Sequence, residues 1–184
     1  MFEFLFGITG RQEEMVANEY AKVVLYAYPY LPALSDAVGV GAVNKAMLSF
    51  RSSEDALGTA EWIAEELAVK FRLMRLNEAV DAALAGMSEE ELFLLEYKYF
   101  RRRRVLRERF AACRPDWSER TYYRRQNAVL RKFAAALAAQ GWPERAYFSA
   151  FSTFPPFSRV YDAISAGREG AVVGKRSRGE RGAP

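Results

Sequence analysis

The chain has 184 residues, 51% of them hydrophobic, with one cysteine, no histidine and a net charge of +4. The absence of histidine excludes histidine-dependent triads, general bases and metal sites, and the lone Cys113 permits neither an internal disulfide nor a cysteine-based zinc site. No apolar run approaches the length of a membrane span, and Met1–Gly10 is apolar without a basic residue before it, so composition predicts a cytoplasmic protein with no membrane partner.

Charge is unevenly distributed. Residues 1–100 carry 8 Lys/Arg against 16 Asp/Glu, whereas residues 101–184 carry 19 against 7. An asymmetry of this size points to a polyanion as the partner of the C-terminal half, with a plain solvated basic surface as the alternative.

In chain order, Arg11–Tyr28 has helical periodicity, with Met15, Tyr20, Val23, Val24 and Ala27 near one face. Pro29 and Pro32 end it in a rigid corner. Short helices follow over Leu34–Val38 and Val43–Phe50, separated by Gly39 and Gly41, with Arg51-Ser52-Ser53 as a turn. Glu54 to Ala85 carries the longest helical pattern, in which Leu57, Ala60, Ile63, Leu67, Phe71 and Met74 form a stripe expected to be core, and Leu76, Val80, Ala83 and Leu84 extend the apolar side.

After Gly86-Met87, Ser88-Glu89-Glu90-Glu91 has the form of a capping box, and the helix it opens should bury Leu92, Leu95 and Tyr99. The three glutamates compensate the helix dipole better than they suggest acid–base chemistry. Arg101, Arg102, Arg103 and Arg104 then form a basic cluster suited to clamping phosphates. Val105, Leu106 and Phe110 mark a second helix ending near Ala112, and Cys113–Trp117 is a turn.

Ser118 is a strong N-cap for the next helix, followed by Glu119 where the dipole favours an acid. Tyr122, Val129, Leu130 and Phe133 fall on one face. Arg120, Tyr123, Arg124 and Asn127 fall on another, and carry the guanidinium, phenol and amide groups that contact phosphates and base edges. Two helices joined by a short turn, the second basic and exposed, make a helix-turn-helix pattern. This helix should continue through Ala134–Ala139 to Gly141.

Leu92-x-x-Leu95-Glu96-x-x-Tyr99-Phe100, Leu106-x-x-x-Phe110-Ala111, Ser118-Glu119-Arg120-Thr121-Tyr122-Tyr123-Arg124 and Val129-Leu130-Arg131-Lys132-Phe133 resemble region four of bacterial sigma factors. The closest likeness is to small sigma-like regulators of phages and mobile elements. The resemblance covers residues 88–137 and implies a promoter-reading helix-turn-helix. It implies that Glu119, Arg120, Tyr123 and Arg124 face the major groove, and makes RNA polymerase a candidate partner. Two departures stand out: Arg125 occupies a position commonly apolar in that family, and the four-arginine run replaces a Gly-containing turn. The acidic N-terminal half does not resemble sigma region two, so a complete promoter-opening factor is not expected.

Beyond Trp142-Pro143, Tyr147, Phe148, Phe151, Phe154, Phe157 and Tyr161 crowd around Pro155-Pro156, and should pack on the N-terminal helices or form a dimer contact. From Gly167 the composition is that of a disordered basic tail, and Gly174-Lys175 lacks the spacing and hydroxyl of a phosphate loop.

The expected fold is therefore all-α: an acidic N-terminal helical bundle (1–86), a helix-turn-helix DNA-binding domain (87–140), short aromatic-rich C-terminal helices (141–166) and a tail (167–184). The expected function is sequence-specific recognition of double-stranded DNA in transcription regulation, with no cofactor and no catalysis, and with a homodimer as a candidate state. The DNA-binding set is Arg101, Arg102, Arg103, Arg104, Ser118, Glu119, Arg120, Tyr123, Arg124 and Asn127. The alternatives are a DNA-packaging component resembling a phage small terminase, distinguished by a ring-like oligomer, and a helical adaptor that binds RNA polymerase without reading DNA.

Overall fold

In the computed structural model the described residues are 19–49, 56–111, 113 and 116–164, and among them every regular element is a helix. The expectations for Met1–Gly10, the start of the first helix, the 51–53 turn and the 167–184 tail lie outside these residues.

Helix α1 (19–27) is buried almost all round through Tyr20, Ala21, Val23, Val24, Leu25 and Ala27. Pro29 supplies no N–H, and the chain tightens into a 3-10 turn over Tyr28–Tyr30 before α2 (Leu31–Ser49) begins. Pro32 sits in the first turn of α2, where its missing donor would have no intrahelical acceptor. Gly39 and Gly41 do not divide α2 as predicted; the helix runs through both. Gly39 lies against the antiparallel helix α3 (Ala56–Ala85), where a Cβ would lie 2.8 Å from Lys70 Nζ, the end of a flexible side chain that can move aside. The two helices form a hairpin, with Lys45 over the Trp62 ring at 5.8 Å and, nearer the body, the Tyr28 hydroxyl donating to Asp81 at 2.6 Å. Burial, with this bond to Asp81, pushes the Tyr28 phenol up to about 12.

The stripe predicted as core on α3 is instead largely exposed: Leu57, Leu67, Phe71 and Met74 face outward, and Ile63 is half-buried. The buried positions of α3 are Leu73, Leu76, Ala79, Val80 and Ala83, all in its second half, and Leu76, Val80 and Ala83 among them are on the apolar side expected there. One long pattern therefore contains two faces, and periodicity alone does not say which of them meets the rest of the chain. Glu19–Leu48 is long and apolar enough to cross a membrane by length and composition, with a third of that window buried inside the protein.

Ser88 starts α4 (Glu89–Leu95) with the predicted capping box: Glu91 N–H donates to Ser88 Oγ at 3.3 Å, and Ser88 N–H donates to Glu91 Oε2 at 2.8 Å. The helix widens into a π-helical turn over Glu96–Phe100, and Arg101 N–H closes it on Glu96 O at 2.7 Å. Arg101 stops it by adopting φ +54°, the left-handed region that favours glycine. Helix α5 (Arg103–Glu108) is short, and Ser118 caps α6 (Glu119–Ala139). Gly141, at φ +88°, terminates α6, and Trp142 N–H returns to Leu137 O at 3.1 Å. Helices α7 (Glu144–Phe151) and α8 (155–164) complete the chain, with Pro155 and Pro156 in the first turn of α8.

One hydrophobic core crosses the domain boundary expected near residue 86. It joins α1, the second half of α3, α4, α6, α7 and Phe157 of α8. The C-terminal aromatics seal it: Tyr147 lies 5.7 Å from Tyr20, Trp142 stacks on Phe151 at 5.5 Å, and Phe151 meets Phe157 at 4.9 Å between ring centroids. This fixes α6 against the body along Val129, Leu130, Phe133 and Leu137.

Candidate nucleic-acid interface

Ion pairing sorts the cations around α6 into two groups. The first turn of α4 carries three adjacent glutamates, and each meets a different cation at 2.6 Å: Glu89 takes Arg109, Glu90 takes Arg125, and Glu91 takes Lys132. Sequence reasoning had these acids as dipole compensation. Their tertiary role is to hold one flank of α6 and the end of the α5 segment against α4. Burial raises the Glu91 carboxyl, but the Lys132 ammonium and the Ser88 hydrogen bonds outweigh it and hold the group below its ordinary value. Arg125 also stacks on Trp117, with its guanidinium carbon 4.6 Å from the ring centroid.

The four-arginine run divides in the same way. Arg102 turns inward: its Nη2 lies 2.6 Å from Glu96 Oε2, its Nε 2.9 Å from Oε1, and its backbone N–H also donates to Oε1 at 3.0 Å. Glu96 is almost wholly buried, so this pair closes the turn between α4 and α5 from inside. Arg104 pairs with Glu108 along α5 at 2.9 Å, both side chains exposed. Arg101 donates to Lys98 O at 3.3 Å. Arg103 is exposed and has no ion-pair partner among the described residues. The run is thus one internal staple, one i,i+4 pair and two outward guanidinium groups, rather than a single clamp.

On α6, Arg120, Tyr123, Arg124 and Asn127 are all exposed, as predicted. Arg120, Arg124, Asn127 and Arg131 recur at four, three and four, which makes them a continuous ridge opposite Val129, Leu130 and Phe133. Arg120 and Arg124 make no ion pair among the described residues. Ser118 is occupied as a cap, within 3.0 Å of Thr121 Oγ1. Glu119 and Tyr123 turn towards a hollow of about 530 Å³ that Phe93, Tyr97, Cys113 and Trp117 also line.

Asn127 stands at the mouth of a second, larger cleft of about 750 Å³ between α1, the π-turn, α6 and α8. Lys22, Lys98 and Arg159 line it together with Tyr26, Tyr99 and Gln126, and no carboxylate among the described residues does. Burial, and then the Lys98 charge, lower the affinity of Lys22 for its proton. The buried Gln126 bonds the Tyr99 phenol, which burial raises far above its usual value. Sequence reasoning missed this group. Lys22, Lys98 and Arg159 lie in three distant segments, and no local pattern joins them. Glu96 and Gln126 were legible in principle: Glu96 is in phase with Leu92 and Tyr99, and Gln126 with Tyr122, Val129 and Leu130.

The connection between α5 and α6 runs from 109 to 118, because α5 ends at Glu108 rather than near Ala112. Phe110, buried against Phe93 with centroids 5.8 Å apart, ties it down. No group of three acidic or cysteine residues suited to a metal ion occurs among the described residues. The chain matches no known protein family, no curated protein and no solved structure.

Proposed function

We propose that this chain is a sequence-specific double-stranded DNA-binding protein that regulates transcription and presents α6 to the major groove, in the manner of a sigma region-four-like helix-turn-helix. The observation that carries the reading is the ridge Arg120, Arg124, Asn127 and Arg131 on a helix whose other face is locked in the core. A ridge of this kind is about one helix wide and rigid, which is what a major groove admits. Glu96, Glu89, Glu90 and Glu91 are committed to Arg102, Arg109, Arg125 and Lys132, while Arg103, Arg120 and Arg124 make no ion pair among the described residues and are open to an external anion. Phosphate contacts would come from Arg101 and Arg103 on one side and from Lys22, Lys98 and Arg159 beside Asn127 on the other. Arg120 and Arg124 would read base edges, with Tyr123 and Asn127 alongside.

Selection of bound duplexes from a random library is the test. Enrichment of one motif by the parent chain, lost on changing Arg120 and Arg124 to Ala, is the expected result. A chain that enriches no motif and shifts no duplex at low salt removes this reading.

A further inference from the structure

The hairpin of α2 and α3 leaves the body with little to hold it. Between Leu31 and Leu73 the buried apolar residues reduce to Ala42, among the described residues. Meanwhile the outer face of α3 shows Leu57, Ala60, Ala64, Leu67, Phe71 and Met74 to solvent, with Leu57 73% and Phe71 60% exposed. Their spacing of three, four, three, four and three is an unbroken heptad seam about 26 Å long at the helical rise, and Glu78 ends it on the same phase. A seam of this kind is a helix-pairing surface awaiting a second helix.

We propose that the occupant is α3 of a second copy, packed antiparallel about a two-fold axis near residues 65–66. Two independent features of the sequence select this geometry. The first is volume. Antiparallel layers set Leu57 against the partner's Met74, Ala60 against the partner's Phe71 and Ala64 against the partner's Leu67, so each small residue meets a large one. A parallel pair would set Phe71 against its own copy and leave Ala60 and Ala64 facing alanines, giving a clash beside voids. The second is charge. The seam is flanked on one side by Glu61, Ala68 and Arg75, and on the other by Ile63 and Lys70. Antiparallel packing brings Glu61 towards the partner's Arg75, whereas parallel packing brings Lys70 towards the partner's Arg75. The α3 seam is therefore self-complementary in one direction, and a two-fold pair of hairpins becomes a four-helix assembly with the two bodies carried outward.

This inference stands apart from DNA binding, and no DNA enters its test. Sedimentation of the full chain over a wide concentration range should give a dimer. Changing Leu67 and Phe71 to Glu should raise the dimer Kd by about a hundredfold or more, with the far-UV circular dichroism unchanged, because both side chains are exposed in the monomer. Glu61→Arg and Arg75→Glu should each weaken the dimer, and the two together should restore it. A parent that stays monomeric overturns the proposal. So does a dimer indifferent to the Leu67 and Phe71 changes, or one that the double charge exchange fails to rescue. A monomer that dimerises only after removal of residues 1–18 would assign the seam to that segment instead, and would equally overturn it.

Discussion

Glu96 and Arg102 meet across the turn between α4 and α5, with Oε2 2.6 Å from Nη2 and the carboxylate side chain only 3% exposed while the guanidinium side chain is 45% exposed. The difference in exposure sets the energetics. Removing Arg102 strands a buried carboxylate with only the Arg102 backbone N–H, whereas removing Glu96 leaves a guanidinium that water can reach. Arg102→Ala should therefore cost about 3 kcal/mol, and Glu96→Gln, which keeps the shape, about 1–2 kcal/mol. Urea unfolding of the two variants checks the order; equal costs would mean that the pair is not closing the turn from inside.

Arg101 separates backbone from side chain. A non-glycine residue at φ +54° is strained, so Arg101→Gly should stabilise the protein by about 0.5–1 kcal/mol. If its guanidinium contacts a phosphate, the same change weakens DNA binding and lowers the salt slope by about one. Thermal unfolding and salt-dependent binding, run side by side, should move in opposite directions. Destabilisation would show that the Arg101 side chain matters to the fold more than the strain does.

Acid sensitivity should concentrate at the α4–α6 seam. Glu91 has a folded-state pKa below its ordinary 4.5, so its stabilising contribution is full above that value and is lost as pH falls through the lower folded value. Lys132→Met removes the main opposing charge and should flatten the acid limb of the stability profile. Ser88→Ala loses the cap, costs about 1 kcal/mol, and should flatten the limb as well. A parent whose stability does not decline across that acid window contradicts the pairing.

If the proposed reading holds, DNA contacts should divide by kind. Arg124→Ala should relax discrimination at one position by roughly 1–3 kcal/mol, while Lys98→Ala should weaken all duplexes alike and reduce the salt slope by about one. Because Lys22 has a lowered proton affinity, the contribution of the cleft should fade earlier on raising pH than that of the arginine ridge. Competition binding with matched and mismatched duplexes distinguishes the two effects, and a Lys98 variant that loses discrimination would exchange the roles.

The local elements were largely legible in the residues. Ser88 and Ser118 announce caps, Gly141 a stop, and the phases of Val129, Leu130 and Phe133 against Arg120, Arg124 and Asn127 orient α6, because capping and helical periodicity act over one or two turns. The α3 stripe shows where that reasoning stops. Leu57, Leu67, Phe71 and Met74 are as apolar as Leu73, Leu76 and Val80, and burial is a property of what packs against a face rather than of the face itself. The same holds for charge. Composition gave the C-terminal half its basic excess, but only the packing of α4 on α6 and on the α5 segment, with the turn that joins α4 to α5, decided that Arg102, Arg109, Arg125 and Lys132 would be neutralised within the fold and that Arg120 and Arg124 would not. Lys22, Lys98 and Arg159 converge on one cleft solely because the core brings α1, the π-turn and α8 together, and no short-range rule in the chain encodes that meeting.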